Sequence, residues 1–419
     1  TRGDNVPGLP RLSPAEARIL DASWEFTARP GQRWTPGHEF ITDFEAGRGF
    51  GKALSLDTPL PTPTGWTTMG DVHVGATLMD EQGKPCTVTA VFEVDAVEAW
   101  RLYFSDGGHI DACGDHQWVT MDCLERKRLN RRTALVDRWW AHSPTRTTRE
   151  IVATICRGPR GDTNHCIPVT EPLVLPDAEL LIAPYMLGLW LGDGNTDGGY
   201  VTSHVDDANH YEARAKADGE TWRRMKVDEN RPHIGLYSIG SRVRLRAVGV
   251  LNNKNMPAAY LRASQRQRMA LLQGLVDTDG HIDKHTGQVE YCSMSERLAE
   301  DVAELARTLG QKPRISTGRA MLNGTDHGMK YRVFWRPTIQ VASLPRKVAA
   351  IQPRGAQGLR NAHRMIISAE VLPPQRMRCV TVDSPAHMYL CGKLMIPTHN
   401  SRVGSESIAH AANDPERWG

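Results

Sequence analysis

The chain of 419 residues lacks several things, and each absence excludes a class of protein. No run of about 18 apolar residues occurs, so a membrane-spanning helix is excluded on length. The opening TRGDNVPGLPRL lacks the charged-then-apolar layout of an export signal, so an exported protein is not expected. Cysteines stand at 86, 113, 123, 156, 166, 292, 379 and 391, yet no two form a C-x-x-C pair, and a zinc site has no support. They are expected to be free thiols of a reducing compartment, mostly small buried hydrophobes. A net charge of +3 is too small to indicate nucleic acid by itself. With 40% hydrophobic and 24% charged residues, the chain is an ordinary globular protein long enough for about two to four domains.

The most informative absence is one hydroxyl. Residues 46–52 read AGRGFGK and follow the phosphate-binding pattern A/G-x-x-x-x-G-K-S/T up to its last position. In such a loop Ala46, Gly47, Gly49 and Gly51 would let backbone N–H groups close on ATP phosphates, and Lys52 would reach the outer ones. The next residue must ligate Mg²⁺ through a hydroxyl, and here it is Ala53. Proline-threonine-glycine turns follow where a helix should begin.

The organisation changes at that point. SPAEARILDASWEF is helical in pattern behind a Ser13 cap, and HEFITDFEA is strand-like. Beyond residue 53 come β-branched runs broken by Gly, Pro and Asp: GWTTMGDV, ATLMD, CTVTAVFEV and AWRLYF. From about 121 to 165 the chain turns basic, with Trp139 and Trp140 interleaved. That stretch suits either a phosphate backbone or a solvated connecting surface.

Two apolar helix patterns, LLIAPYMLGLWLGDG and MALLQGLVDTDG, end at Asp193-Gly194 and Asp279-Gly280. Strand-like segments follow the second repeat, including GQVEYCSM and MKYRVFW. Short strands return past 350 in MRCVTVDSP and HMYLCGKLMI, and residues 401–419 read as a helix start. One Asp-Gly would be a turn cap; a repeated pair points to paired carboxylates.

These motifs, in order, resemble an intein. ALSLDTPLPTPTGWTTMGDVHVGATLMDEQG is similar to the first strand and turn of that family, CGDHQW to its internal histidine motif, CVTVDSPAHMYLCGK to its penultimate motif, and MIPTHN before Ser401 to its C-terminal junction. The two helix repeats resemble paired LAGLIDADG motifs of a homing endonuclease. The resemblance implies a mostly β HINT (Hedgehog/intein) splicing domain interrupted by an α/β LAGLIDADG domain, with flanks from a P-loop α/β ATPase. The expected layout is 1–52 upstream flank, 53–170 splicing domain, 171–355 endonuclease, 356–400 splicing domain and 401–419 downstream flank. Joining Lys52 to Ser401 gives EAGRGFGKSRVGSESI, a complete nucleotide loop. The flanks resemble a phage large terminase subunit, which implies the cytoplasm of an infected bacterial host.

Inteins usually begin with Cys or Ser, and Ala53 can perform no attack. Class 3 inteins lack that nucleophile and carry a Trp-Cys-Thr signature, matched here by Trp118, Cys379 and Thr398. The resemblance implies Cys379 as nucleophile, His116 activating the bond between Lys52 and Ala53, and Ser401 as acyl acceptor. It further implies Asn400 cyclising with help from His399 and His387, without any cofactor. Taken singly, Trp118 would fill a core and His116 would be a satisfied structural histidine. Thr398 would be an incidental strand residue and Cys379 inert. Cys113 reads as a packing residue.

For the nuclease, Asp193 and Asp279 are expected to hold Mg²⁺ over double-stranded DNA, with Lys330 as a basic helper and Asp277 outside the ligand set. The flanks act as partners in cis, no membrane is involved, and a monomer is expected. Three rival readings stay open: a Cys-to-Ala precursor of an ordinary intein, an ATPase carrying a tolerated insertion, and an endonuclease with a dead splicing domain.

Overall fold

The computed structural model describes residues 52–130, 143–157, 161–227, 234–351 and 362–399. Contacts divide the chain into Thr1–Arg48 and Gly49–Gly419, and all described residues belong to the second unit. The flank helix, the flank strand and the final helix expected from sequence lie outside them, as do Trp139 and Trp140.

The first body is built from strands. β1 (Leu54–Ser55), β2 (Pro59–Thr62), β3 (Gly65–Thr68), β4 (Thr77–Met79), β5 (Pro85–Phe104), β6 (His109–Cys113) and β7 (Gln117–Val119) lead to helix α1 (Cys123–Asn130). Strand β8 (Thr145–Thr147), helix α2 (Thr148–Ala153) and strands β9 (Cys156–Arg157), β10 (Asp162–Thr163) and β11 (Cys166–Pro168) follow. Near the far end of the chain, β19 (His363–Val382), β20 (Met388–Cys391) and β21 (Ile396–His399) return to the same body. The six-stranded sheet runs β11-β19-β1-β6-β5-β4, and β19 also pairs with β5.

CTVTAVFEV and AWRLYF, read as separate runs, form one 20-residue strand. Its partner β19 is equally long and pairs with it from Ile366↔Phe104 to Val382↔Val88, with register shifts on the way. Pairing on either side of Asp95, with a register shift between Val94 and Val97, joins into one ribbon the two runs that sequence alone separated there.

The second body lies between these halves. It contains α3 (Pro184–Asp193), β12 (Tyr200–His204), α4 (Val205–Ala217), β13 (Arg223–Val227), β14 (Ile234–Ser238), α5 (Arg242–Ala247) and α6 (Ala258–Leu261). A similar run follows: α7 (Gln265–Thr278), β15 (Gly280–Ile282), β16 (Val289–Ser293), α8 (Glu296–Thr308), β17 (Arg314–Leu322), β18 (Thr325–Trp335) and α9 (Pro345–Val348). The sheets are β12-β14-β13 and β15-β16-β18-β17. One apolar core runs from Ile182 to Ala350, whereas a separate core joins residues 54–167 to 366–396.

Helices α3 and α7 carry the repeated motif and pack against each other. Their approach requires Gly188 and Gly274, because a methyl group at Gly188 would collide with the Leu271 carbonyl and one at Gly274 with that of Tyr185. Ser264 caps α7 reciprocally with Gln267, which fixes where that helix starts. Replacing Gly274 by Val should destabilise this body by about 1–3 kcal/mol through overpacking, or abolish its folding, as read by urea denaturation.

Candidate functional site

The short strand β1 places Ala53 between two cysteine-bearing strands. Leu54 pairs with Arg378 of β19 on one side and with Ala112 of β6 on the other. Antiparallel register therefore sets Cys379 and Cys113 beside fully buried Ala53, and the three share one small apolar cluster. The Cys113 N–H donates to the Ala53 carbonyl at 3.0 Å. The Ala53 N–H donates to the Cys113 sulfur, also at 3.0 Å. Cys113 thus packs in that cluster, as expected from the sequence, and in addition touches the nitrogen of the Lys52–Ala53 bond. Its place three residues before His116 was the available signal. Burial raises its thiol above the ordinary range.

His116 is fully buried. Its Nε2 is hydrogen-bonded to the Thr398 hydroxyl. Burial pushes the imidazole down to about 3; the nearby Lys52 backbone opposes this, while the Lys52 and His399 charges add to it. The ring is therefore neutral near pH 7 and sits beside the Lys52 carbonyl. Burial lowers the Lys52 amine as well, and the nearby Cys379 sulfur acts in the opposite direction.

Trp118 is completely buried, edge-on to His116 with ring centroids 4.7 Å apart. Its indole N–H donates to Thr148 Oγ1 at 3.0 Å. It fills the core, and in doing so it fixes one face of the imidazole. Thr398 is buried too, delivered by the β20–β21 hairpin opposite Tyr389. His399 follows on that strand, and His387 occupies the turn before β20 with left-handed φ of 53°. Asn400, Ser401 and the loop residues Ala46, Gly47, Gly49 and Gly51 lie outside the described residues.

A second site forms where α3 and α7 end. Asp193 is the last residue of α3, and Asp279 caps α7. Burial, then the neighbouring Asp279 carboxylate, push Asp193 up to about 6. Burial also raises Asp279, against which the Lys254 and Lys347 charges and its hydrogen bond with Asp193 act. Two crowded carboxylates disfavour each other's charged form, and their oxygens are donors of the kind a divalent cation takes. Lys254 donates to the Leu191 and Gly192 carbonyls at 3.0 and 2.8 Å. Lys347 donates to Val276, Asp277 and Gly280 carbonyls at 2.7, 2.8 and 2.7 Å.

Both ammonium groups satisfy open carbonyls at the helix ends and bias both acids towards the charged form. Burial brings Lys347 down to about 8. Neither lysine was named from the sequence, which offered Lys330 as a basic helper. Lys330 lies on β18 opposite Gly318, and its charge acts on Cys292, as that of Asp279 also does. Asp277 is buried and occupied: it accepts from Tyr185 Oη at 2.8 Å and from the Ser343 and Leu344 N–H groups at 3.0 and 3.1 Å. It closes the start of α9, consistent with its exclusion from the ligand set.

A family profile described as a LAGLIDADG-like domain matches residues 266–370. The chain is 38% identical over 368 residues to the replicative DNA helicase DnaB of Mycobacterium intracellulare, covering 86% of this chain and 60% of that protein. It is 50% identical over 86 residues to the DnaB of Mycobacterium leprae (strain TN), covering 20% of this chain and 14% of that one. Among solved structures it is similar to the MchDnaB-1 intein, with 17% identity, a TM-score of 0.27, 83% of this chain and 100% of that one. It is also similar to mesophilic variants of the homing endonuclease I-DmoI, with 16% identity, a TM-score of 0.28, 40% of this chain and 95% of that one. The curated relatives are replicative helicases, so the phage terminase assignment, with its infected-cell location, is withdrawn.

The imidazole also sets a pH dependence. His116 titrates at about 3 when folded, against an ordinary value of about 6.5 when unfolded. Between these values the unfolded chain binds the extra proton, so the contribution is full above about 6.5 and is lost as pH falls towards 3. Urea midpoints should correspond to about 2 kcal/mol less stability at pH 5 than at pH 7, a difference that His116→Gln should shrink. The chain thus carries a LAGLIDADG-like domain over residues 266–370.

Proposed function

We propose that the chain splices itself, excising residues 53–400 and joining Lys52 to Ser401, and that its inserted domain is a DNA endonuclease. The observation that supports this best is Ala53, a residue unable to attack, held between Cys379 and Cys113 with neutral His116 at the preceding carbonyl. The nucleophile is Cys379. Its thiol proton passes to neutral His116, and the sulfur bonds to the Lys52 carbonyl carbon. The C–N bond to Ala53 breaks, and the proton goes to the departing nitrogen. Cys113, in contact with that nitrogen, steadies it as it becomes an amine.

Residues 1–52 are then a thioester on Cys379. The Ser401 hydroxyl attacks that thioester and releases the Cys379 thiol, leaving an ester on the downstream flank. The Asn400 side-chain nitrogen next attacks its own carbonyl carbon, forming a succinimide and freeing the Ser401 amine. His399 and His387 assist this cyclisation. The freed amine attacks the ester and yields the Lys52–Ser401 amide. Thr398 orients His116 through its hydroxyl, and Trp118 does so by packing. No cofactor takes part.

In the inserted domain Asp193 and Asp279 would hold Mg²⁺, which when bound activates water and stabilises charge on phosphate. The chain's own contribution is to gather both carboxylates at one helix junction and to offset their charge with Lys254 and Lys347. The substrate is double-stranded DNA of the uninterrupted host gene. After ligation Ser401 would complete the ATP and Mg²⁺ loop with Ala46, Gly47, Gly49, Gly51 and Lys52. That loop makes the host a P-loop ATPase, and the relatives make a replicative helicase the first host class to test. The excised product acts as a monomer.

Expression followed by intact mass should reveal a free product of residues 53–400 and a ligated 1–52/401–419 product. Cys379→Ala should leave full-length precursor only; ligation by that variant would refute the mechanism. Asp193→Asn should abolish Mg²⁺-dependent cleavage of a plasmid carrying the uninterrupted site, by at least about a hundredfold, while splicing continues unchanged.

A further inference from the structure

The two bodies meet at a contact that contains none of the proposed catalytic residues. Arg262, between α6 and α7, is 8% exposed, although it carries a full charge. Its Nε donates to the Thr62 carbonyl at 3.1 Å and its Nη2 to the Gly65 carbonyl at 2.9 Å. These carbonyls belong to the β2–β3 hairpin of the splicing body. Its Nη1 donates to Glu304 of α8 at 2.7 Å, and the guanidinium lies over the Trp66 ring, 5.5 Å from the centroid. The Trp66 indole N–H donates to the same Glu304 oxygen at 3.0 Å. One buried arginine and one glutamate of the inserted domain thus grip both the backbone and the aromatic side chain of a splicing-body hairpin.

That hairpin supports the strand pair carrying the C-terminal half of the splicing site. Trp66 packs against a cluster that includes Leu390 of β20 and Met395, the residue before β21. The Gly392 N–H donates to the Pro59 carbonyl of β2 at 2.7 Å, and Met395 in turn donates to the Gly392 carbonyl at 2.9 Å. Leu60 of β2 shares a core with Tyr389, Cys391 and Ile396. The turn between β20 and β21 is therefore framed by the hairpin that Arg262 holds. The strand leaving that turn brings Thr398 to His116. The Cys379 side is framed chiefly by β1, β5 and β6 within the long sheet, with Arg378 also reaching the Met69 and Val72 carbonyls beyond β3.

We infer that Arg262 is a positioning residue for splicing, through which the endonuclease body holds the β20–β21 hairpin and the downstream junction in register. The inference rests on the splicing reading above. Partly buried polar bonds of this kind are costly to leave unmade, so loss of the guanidinium removes a donor from each of two carbonyls and leaves Glu304 only its bond from Trp66. The consequence is specific. The downstream steps lose their geometry, whereas attack by Cys379 is less affected.

The test uses the full chain with both flanks, following precursor, thiol-released residues 1–52 and ligated product by intact mass over time. Arg262→Met should lower the ligation rate at least tenfold and raise the share of thiol-released upstream fragment. Arg262→Lys should recover part of the ligation. Trp66→Phe keeps the ring, removes the single bond to Glu304 and should shift the product ratio the same way, so a poorly folded Met variant does not decide the matter. Wild-type splicing with unchanged rates and product ratios in both Arg262→Met and Trp66→Phe would overturn this inference alone. A wild-type chain that does not splice would overturn the splicing reading and this inference with it.

Discussion

Everything at the proposed splice junction depends on the pairing of a two-residue strand, Leu54–Ser55, with neighbours on both edges. A strand that short has almost no stability of its own. It is held because β19 and β6 present their ladders to it from either side, and because Leu54 is wholly buried. That pairing sets Ala53 in register with Cys379 and Cys113. A slip of β1 by one residue would turn Ala53 and Leu54 to the opposite face of the sheet and take Ala53 out of register with both thiols. The long β5–β19 ribbon then has a role: it makes the position of β19, and so of Cys379, a property of the whole sheet.

The second constraint is desolvation. His116 has no access to water, so its neutral form is imposed by the fold and not by solution pH. A neutral imidazole can take a proton from a thiol, which a charged one cannot. Burial raises Cys113 and lowers Lys52 at the same bond, so the groups around it favour their uncharged states. The acid pair of the inserted domain shows the same principle. Asp193 and Asp279 are brought together by the approach of α3 and α7, and burial raises both acids towards their uncharged forms.

Much of this was legible in the sequence. Cys379, His116, Trp118 and Thr398 stand in short motifs where order along the chain is itself the signal, and they converge around one bond. The helix ends at Asp193 and Asp279 were legible because an apolar helix stopping at Asp-Gly occurs twice. Cys113 packs as expected, but its contact with the Ala53 nitrogen was not legible, since it depends on the register of β1 against β6, which no local pattern encodes. Lys254 and Lys347 were missed because they reach the helix ends from distant loops. The flanks shared only one motif with their supposed host, and a nucleotide loop is common to many ATPases, so the terminase reading had little physical content to sustain it.

The central claim is that the first acyl acceptor is Cys379. The direct measurement is peptide mapping of a chain carrying Ser401→Ala and Asn400→Ala, in which later steps are blocked. The account predicts residues 1–52 attached through a hydroxylamine-labile thioester to the peptide containing Cys379. Attachment to any other residue, or an intact Lys52–Ala53 bond throughout, would contradict it.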